Sequence, residues 1–480
     1  MATENHTSST DDGLESASND ESTTNESTTD EPASSVPTIT ANRTTEQPHT
    51  RTDHDSYPAT EDPEGEGRTY IEIRPSSRPL NHASVSQAMT VLYESLNEPT
   101  DDGFFSLFKS TATPPTVEWL LVADGRSDTR IRYLVGTTDE DFLSELEAVL
   151  RTALPNTYEL TRVEWHPRRI NTHLSPTNPQ ANTSNDRDWY KNDDVYLAGV
   201  EYCGHVPLKK DWLTSLTSLK EHTASTKTTH TQTNNRTEDT HEPHRIPLSV
   251  LLEKLCDIDV PVIYQLVCRP LGDQRADAER YQADLERGVV TPADRVVDFV
   301  FPREEQQLDR EALSGSYRDR LDELETRELR RTFCLSARAV ALTDENPRKA
   351  NAAVRRLARE FAHLGGPFHE IRGRVHTDAD LHTGITPPAS QLFEEIIERT
   401  CHIPSYESGW SRLPWKPYES PGIVVAPDEI PGFCFIDGAG LTTHGQRALR
   451  IRQSERTGLT LPSSRHLERY SGQDKRCVCH

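Results

Sequence analysis

Residues Gly440-Leu441-Thr442-Thr443-His444-Gly445-Gln446-Arg447 carry the glycine spacing of a phosphate-cradling loop. In a P-loop, G-x-x-x-x-G-K-[ST], backbone N–H groups wrap the phosphates, the Lys reaches the β- and γ-phosphates and the hydroxyl holds Mg²⁺. Here Gln446 and Arg447 stand where the Lys and the Ser/Thr are needed, so the segment predicts no nucleotide site and no cofactor. A second constellation, His376, Asp378, Asp380 and His382, puts two imidazoles and two carboxylates within seven residues, a donor set suited to Zn²⁺ or Mn²⁺. No second cluster at a recognisable spacing accompanies it, and a metal-dependent hydrolase centred there would have to retain its ion. Cys477-Val478-Cys479-His480 offers too few ligands to close a structural site alone. His222, His230, His241 and His244 are scattered through a Thr-rich stretch and read as solvated. Neither a G-x-S-x-G elbow nor an H-E-x-x-H pair occurs, so the expectation is a protein that is not an enzyme.

The remaining chemistry is electrostatic. Between 447 and 476 eight Lys/Arg face three Asp/Glu. Arg447, Arg450, Arg452 and Arg456 head this strip and are the candidate nucleic-acid contacts. No aromatic residues interleave with them to stack single-stranded bases. A plasmid- or virus-encoded nucleic-acid-binding protein is the alternative reading that this strip supports, with an acidic partner surface as its competitor. No small-molecule ligand is expected.

Several elements must position these groups. Tyr70–Ile73 predicts a strand, and Val85, Met89, Leu92 and Leu96 recur at helical spacing. Residues 117–122 and 130–135 predict two strands around a turn at Asp124-Gly125. Thr138 is placed to cap a helix carrying Phe142, Leu146, Val149 and Ala153, and 158–165 predicts a further strand. The order β-α-β-β-α-β is the split-βαβ pattern. It recurs as strand 195–206, helix 246–256, strands 260–268 and 333–342, a helix opened by Asn346-Pro347, and strand 368–375. The fold class expected is therefore α+β, with two tandem ferredoxin-like units, a helical insertion and a disordered N-terminal tail. The expected boundaries are a tail over 1–68, a first unit over 69–166, a linker over 167–192, a second unit over 193–376 and an extension over 377–480. The second unit would contain a disordered loop at 221–245 and a helical pair at 273–330, with a narrow stripe of Leu313, Tyr317, Leu321 and Leu324 on the second helix.

Composition narrows the class further. The 480 residues hold 77 Asp+Glu against 53 Lys+Arg, a net charge of -24, and 43 of the basic residues are Arg. Residues 1–68 contribute 16 acidic and 3 basic side chains, so the rest is only mildly acidic. Scarce Lys and abundant Asp, Glu and Thr resemble proteins of salt-loving archaea. Molar salt shortens the Debye length to about 3 Å and weakens phosphate contacts. The tail has too few large apolar side chains to offset the entropy of ordering. No apolar run reaches the length of a membrane span, and no secretion signal is evident. A cytoplasmic location is expected, peripheral at a membrane only through a partner. Cys203, Cys256, Cys268, Cys334 and Cys434 sit singly in apolar segments and read as small buried hydrophobes.

The stretch Val424-Val425-Ala426-Pro427-Asp428-Glu429-Ile430-Pro431-Gly432-Phe433-Cys434-Phe435 resembles the segment before the P-loop domain of HerA/VirB4-like conjugation (type IV secretion) ATPases. Asp437–Thr442 and Gly445–Leu449 continue it, and residues 68–165 are similar to the N-terminal region of the haloarchaeal branch. The resemblance implies a non-catalytic assembly and docking module of a hexameric DNA-translocating motor, cut before its Walker A. Its partners would be further copies of the chain, a P-loop motor domain or subunit, and a membrane channel. Phe433 and Phe435 would then pack against the motor domain. The ATP-handling residues have no counterpart in this chain.

Overall fold

A computed structural model describes residues 67–97, 114–125, 130–174, 195–219, 245–288, 310–377, 388–406 and 418–451. All of these fall in one compact unit, Pro63–His480. The architecture is mixed α+β around one antiparallel sheet.

The first half runs β1 (Arg68–Arg74), α1 (His82–Asn97), β2 (Val117–Ala123), β3 (Ile131–Thr137), α2 (Leu143–Ala153) and β4 (Glu159–Trp165). The second half runs β5 (Tyr196–Val206), α3 (Pro247–Cys256), β6 (Val262–Gly272), α4 (Arg275–Glu286), α5 (Gly315–Thr326), β7 (Thr332–Thr343), α6 (Pro347–Leu357) and β8 (Glu370–Thr377). A closing segment adds α7 (Ala389–Glu398), β9 (Tyr418–Ser420), β10 (Ile423–Val425), α8 (Pro431–Cys434) and α9 (Thr443–Ala448). The two quartets have matching strand orders, β4-β1-β3-β2 and β8-β5-β7-β6. They join through β2 and β6, whose register runs from Val117↔Cys268 to Ala123↔Val262. Both joining strands are almost wholly buried, which explains their nearly continuous apolar sequences.

Period-two alternation sends one side of each strand into each of two cores. Trp119, Leu121, Tyr133, Tyr264 and Leu266 enter the larger core beneath α1, α2, α3 and α6. Leu120, Val122, Leu134, Ile263 and Val340 enter a smaller one closed by Leu392, Phe393 and Ile396 of α7 and by Ile170 of the 3-10 turn Pro167–His173. A third cluster holds the insertion: Tyr281 and Leu285 of α4 meet Leu321 and Leu324 of α5 over Leu213. Beneath it Asp211, fully buried, accepts bonds from Tyr281 (2.6 Å) and Arg320 (2.8 Å). The inner ends of the insertion are thus pinned to this chain, not left projecting.

Three expectations are corrected. Thr138 does not cap α2, which opens at Phe142 without a side-chain cap; its hydroxyl accepts from the Thr116 N–H (3.0 Å) instead. The helix opened by Asn346-Pro347 has the expected cap, Asn346 accepting from the Arg348 N–H at 2.9 Å, but stops at Leu357 rather than running through Phe361 and Leu364 to Gly365-Gly366, as its apolar stripe predicts. The stretch 377–480 does not simply lead away from the fold, because residues 418–451 are woven into the sheet and the larger core. Residues 1–66 of the expected 1–68 tail, 221–244 of the expected 221–245 loop and most of the 167–192 linker lie outside the described residues, while Arg68 already opens β1. Among the described residues no helix is long and apolar enough to cross a membrane. All five singly placed cysteines are buried thiols.

Candidate functional site

The smaller-core face of the sheet carries a row of polar side chains at one register. Gln265 on β6 lies opposite Arg338 on β7, Arg338 opposite Glu201 on β5, and Glu201 opposite Arg374 on β8. Glu118 on β2 joins them from the first quartet. Its carboxylate accepts bonds from Tyr70 Oη (2.8 Å), Gln265 Nε2 (2.8 Å) and Arg399. Gln265 Oε1 accepts from Arg338 Nε at 2.9 Å, and Arg338 Nη1 reaches Glu395 of α7 at 2.6 Å. Glu395 Oε2 lies 3.0 Å from His402 Nε2, which is 3.6 Å from Glu201. Glu201 is bonded by Arg374, which also meets Glu419 of β9 at 3.2 Å. The chain of bonds thus crosses the junction between the quartets and ends at the closing segment.

The buried charges perturb one another. Burial would raise the Glu201 carboxyl, but His376, Arg374 and His402 around it hold it at about 2. The bond to Glu395 raises the His402 imidazole, against burial. Desolvation lowers the Arg338 guanidinium despite Glu395 and Glu201 beside it. Isolated buried charge is very costly, so each of these groups needs the others.

Glu201, Glu395 and His402 present donor atoms within 4.8 Å of one another, close enough to share a metal ion. Their environment does not fit one. The Glu395 oxygen nearest His402 is the one that Arg338 bonds, and Glu201 is held by Arg374. A divalent cation would face two guanidinium groups where the negative charge is already matched. The cluster therefore acts as an ionic clasp. An open cleft of about 480 Å³ runs beside it along α7, rimmed by Glu394, Glu395 and Glu398.

The residues singled out in the sequence fall as follows. His376 is fully buried and lies 3.6 Å from Glu201, so it belongs to the clasp. Asp378, Asp380 and His382 lie outside the described residues. Arg447 and Arg450 are exposed at the end of α9, while Arg452 and Arg456 lie outside. Phe433 and Phe435 are not surface groups awaiting another domain. Both are fully buried in this chain's larger core, where Phe433 packs 5.1 Å from Phe361. Their backbone is tied down as well: Tyr264 donates to Phe433 O (2.9 Å), Tyr133 to Cys434 O and Tyr158 to Ile436 O (3.3 Å).

The glycine-spaced turn at 440–447 has an acceptor of its own. Glu253 of α3 takes the backbone N–H of Thr442 (2.5 Å) and its hydroxyl, and a Cβ at Gly445 would meet that carboxylate at 2.7 Å. The turn's donors at Thr442 are thus already taken by a carboxylate of the same chain. Glu118, Gln265, Arg338, Glu201 and Glu395 escaped the sequence reading because they come from remote segments. The signal was nevertheless present, since Gln265, Arg338 and Glu201 stand in the middle of mainly apolar strands and Glu118 near the start of another. Comparison with known proteins finds no matching family model and no matching curated sequence.

Proposed function

We propose that this chain is a non-catalytic assembly and docking module of a conjugation-type, DNA-translocating ATPase, built on two ferredoxin-like units. Each quartet follows the β-α-β-β-α-β order of such a unit, with its two helices on one face. The observation that carries the reading is the anchoring of residues 433–436. This segment bears the motor-type resemblance, and tyrosines of both quartets bind it: Tyr133 and Tyr158 from the first, Tyr264 from the second. Arg327 adds a buried bond to Glu429 (2.7 Å), whose carboxylate also caps the N–H groups of Leu216 and Ala426. A connector held this way transmits a displacement to the whole sheet, which is what a docking module must do for a moving P-loop partner.

The test is calorimetric titration of the folded chain with ATP-Mg²⁺, together with its mass by light scattering. The reading expects no heat of nucleotide binding and a mass that is a multiple of the monomer. Micromolar nucleotide binding by the chain itself would overturn it.

A further inference from the structure

Helix α6 points Ala350, Ala353, Val354 and Leu357 inward. Arg348, Lys349, Ala352, Arg355 and Arg356 are exposed, and so is Arg359 in the turn that follows. At 3.6 residues per turn, Arg348 and Arg355 lie on one line with Ala352 between them, separated by about 10 Å of rise. Arg359 falls one turn beyond. Two neighbours are already engaged: Lys349 meets Glu345 at 2.6 Å, and Arg356 donates to the Asp257 carbonyl at 3.4 Å. Arg348, Arg355 and Arg359 make no ion pair among the described residues. That is notable where acidic residues outnumber basic ones 77 to 53. The stripe borders a cleft of about 220 Å³, which Arg348, Lys349 and Arg356 line together with Ile258, Ala352, Ala353 and one carboxylate, Asp259.

We infer that this stripe docks the phosphodiester backbone of a nucleic acid. Guanidinium forks suit phosphate oxygens and stay charged at every accessible pH. The ~10 Å between Arg348 and Arg355 matches about three base-pair steps measured along a duplex axis, at 3.4 Å of axial rise per phosphate of one strand. An acidic protein is the weaker fit, because protein interfaces centre on apolar and aromatic anchors. The large apolar side chains exposed among the described residues are Val91, Tyr196 and Ile403, none of them on this helix. The inference does not depend on the docking reading, and it uses side chains separate from Arg447 and Arg450.

Fluorescence anisotropy with a labelled 20-base-pair duplex tests it, on the full chain, across KCl concentrations at which circular dichroism shows the fold intact. Binding is expected to weaken linearly in log K against log salt. Arg348→Gln/Arg355→Gln/Arg359→Gln should lower the slope by about 2 to 3 and the affinity roughly tenfold or more, at about 0.9 per lost phosphate contact. These side chains are exposed, so the variant should keep its circular dichroism spectrum and urea midpoint. Absence of binding by the folded wild type would overturn the inference, as would an unchanged slope in the folded triple variant. Displacement of the duplex by poly-L-glutamate at equal charge would assign the stripe to an acidic polypeptide and overturn the nucleic-acid assignment.

Discussion

Replacing Arg399 should weaken the fold more than any surface arginine can. Its guanidinium is the cation that meets Glu118, whose side chain is fully buried, and it also donates to the Thr137 carbonyl at 2.5 Å. Arg399→Met leaves Glu118 buried with only neutral donors, Tyr70 and Gln265. Removing one member of a buried pair costs about 3–5 kcal/mol, a large part of the ~5–15 kcal/mol that holds a typical domain. Arg399 also has a left-handed backbone, φ 56°. A side chain there costs about 1–2 kcal/mol that glycine avoids. Arg399→Gly should therefore be milder than Arg399→Met by about 1 kcal/mol. Glu118→Gln added to Arg399→Met should recover about 2–4 kcal/mol, because a glutamine can accept from Gln265 and donate to the Tyr70 oxygen without carrying charge. Urea unfolding followed by circular dichroism in molar KCl reads the midpoints of the wild type, Arg399→Met, Arg399→Gly, Glu118→Gln and the double variant, with an unchanged m-value as the control for two-state behaviour. A loss below ~1 kcal/mol for Arg399→Met, or strict additivity in the double variant, would refute a junction held by the buried ion pair.

Further outcomes are fixed by the same geometry. His369 is held down at about 3 and His166 at about 4, in each case chiefly by burial, so the unfolded chain takes up their protons first. Stability present above pH ~6.5 should fall as the medium is acidified towards those values, by up to about 1.4 kcal/mol per pH unit per histidine. His402 runs the other way: its raised imidazole contributes fully below pH ~6.5 and loses that contribution as pH climbs through its folded value. His402→Gln should accordingly flatten the alkaline limb of a melting-temperature profile; an identical limb in the variant would argue against the Glu395 contact. Phe433→Ala opens a cavity in the larger core and should cost about 3–5 kcal/mol by urea titration, whereas a near-neutral result would mean that the ring faces outward. Dialysis against a chelator should leave the unfolding temperature unchanged, since arginines already satisfy Glu201 and Glu395; a drop restored by Zn²⁺ would reverse that assignment.

Local structure was legible wherever one periodicity ruled. The four strands of the first quartet, the Asn346-Pro347 helix start and the apolar stripe of α1 all appear near their expected positions. What periodicity cannot carry is pairing between remote segments. Nothing local in Val117–Ala123 or Val262–Gly272 says that these strands are each other's neighbours, although their two-sided burial was written in their nearly continuous apolar runs. Ile423–Val425 is only three residues long and pairs with β7 because Phe333, Cys334 and Leu335 offer it a free edge. The two phenylalanines at 433 and 435 illustrate the same limit. Their apolar character was plain, but which core they fill depends on how residues 418–451 return to the sheet. The clasp was hidden for a related reason: Glu118, Gln265, Arg338 and Glu201 each look like an isolated misfit, and only the sheet register lines up the last three and brings Glu118, opposite Val267, within reach of Gln265. Thr138 shows the opposite error, a good cap residue diverted because the Thr116 N–H offered a better-placed donor.

The central claim is that this chain positions a P-loop motor without being one. The most direct measurement is cross-linking mass spectrometry on the protein purified from its own cells at native salt, with sequencing of every stoichiometric partner. The account predicts a polypeptide bearing a complete Walker A motif, cross-linked near residues 437–451. Recovery of the chain with no P-loop ATPase at any salt concentration, or with ATP hydrolysis intrinsic to residues 67–451, would contradict it.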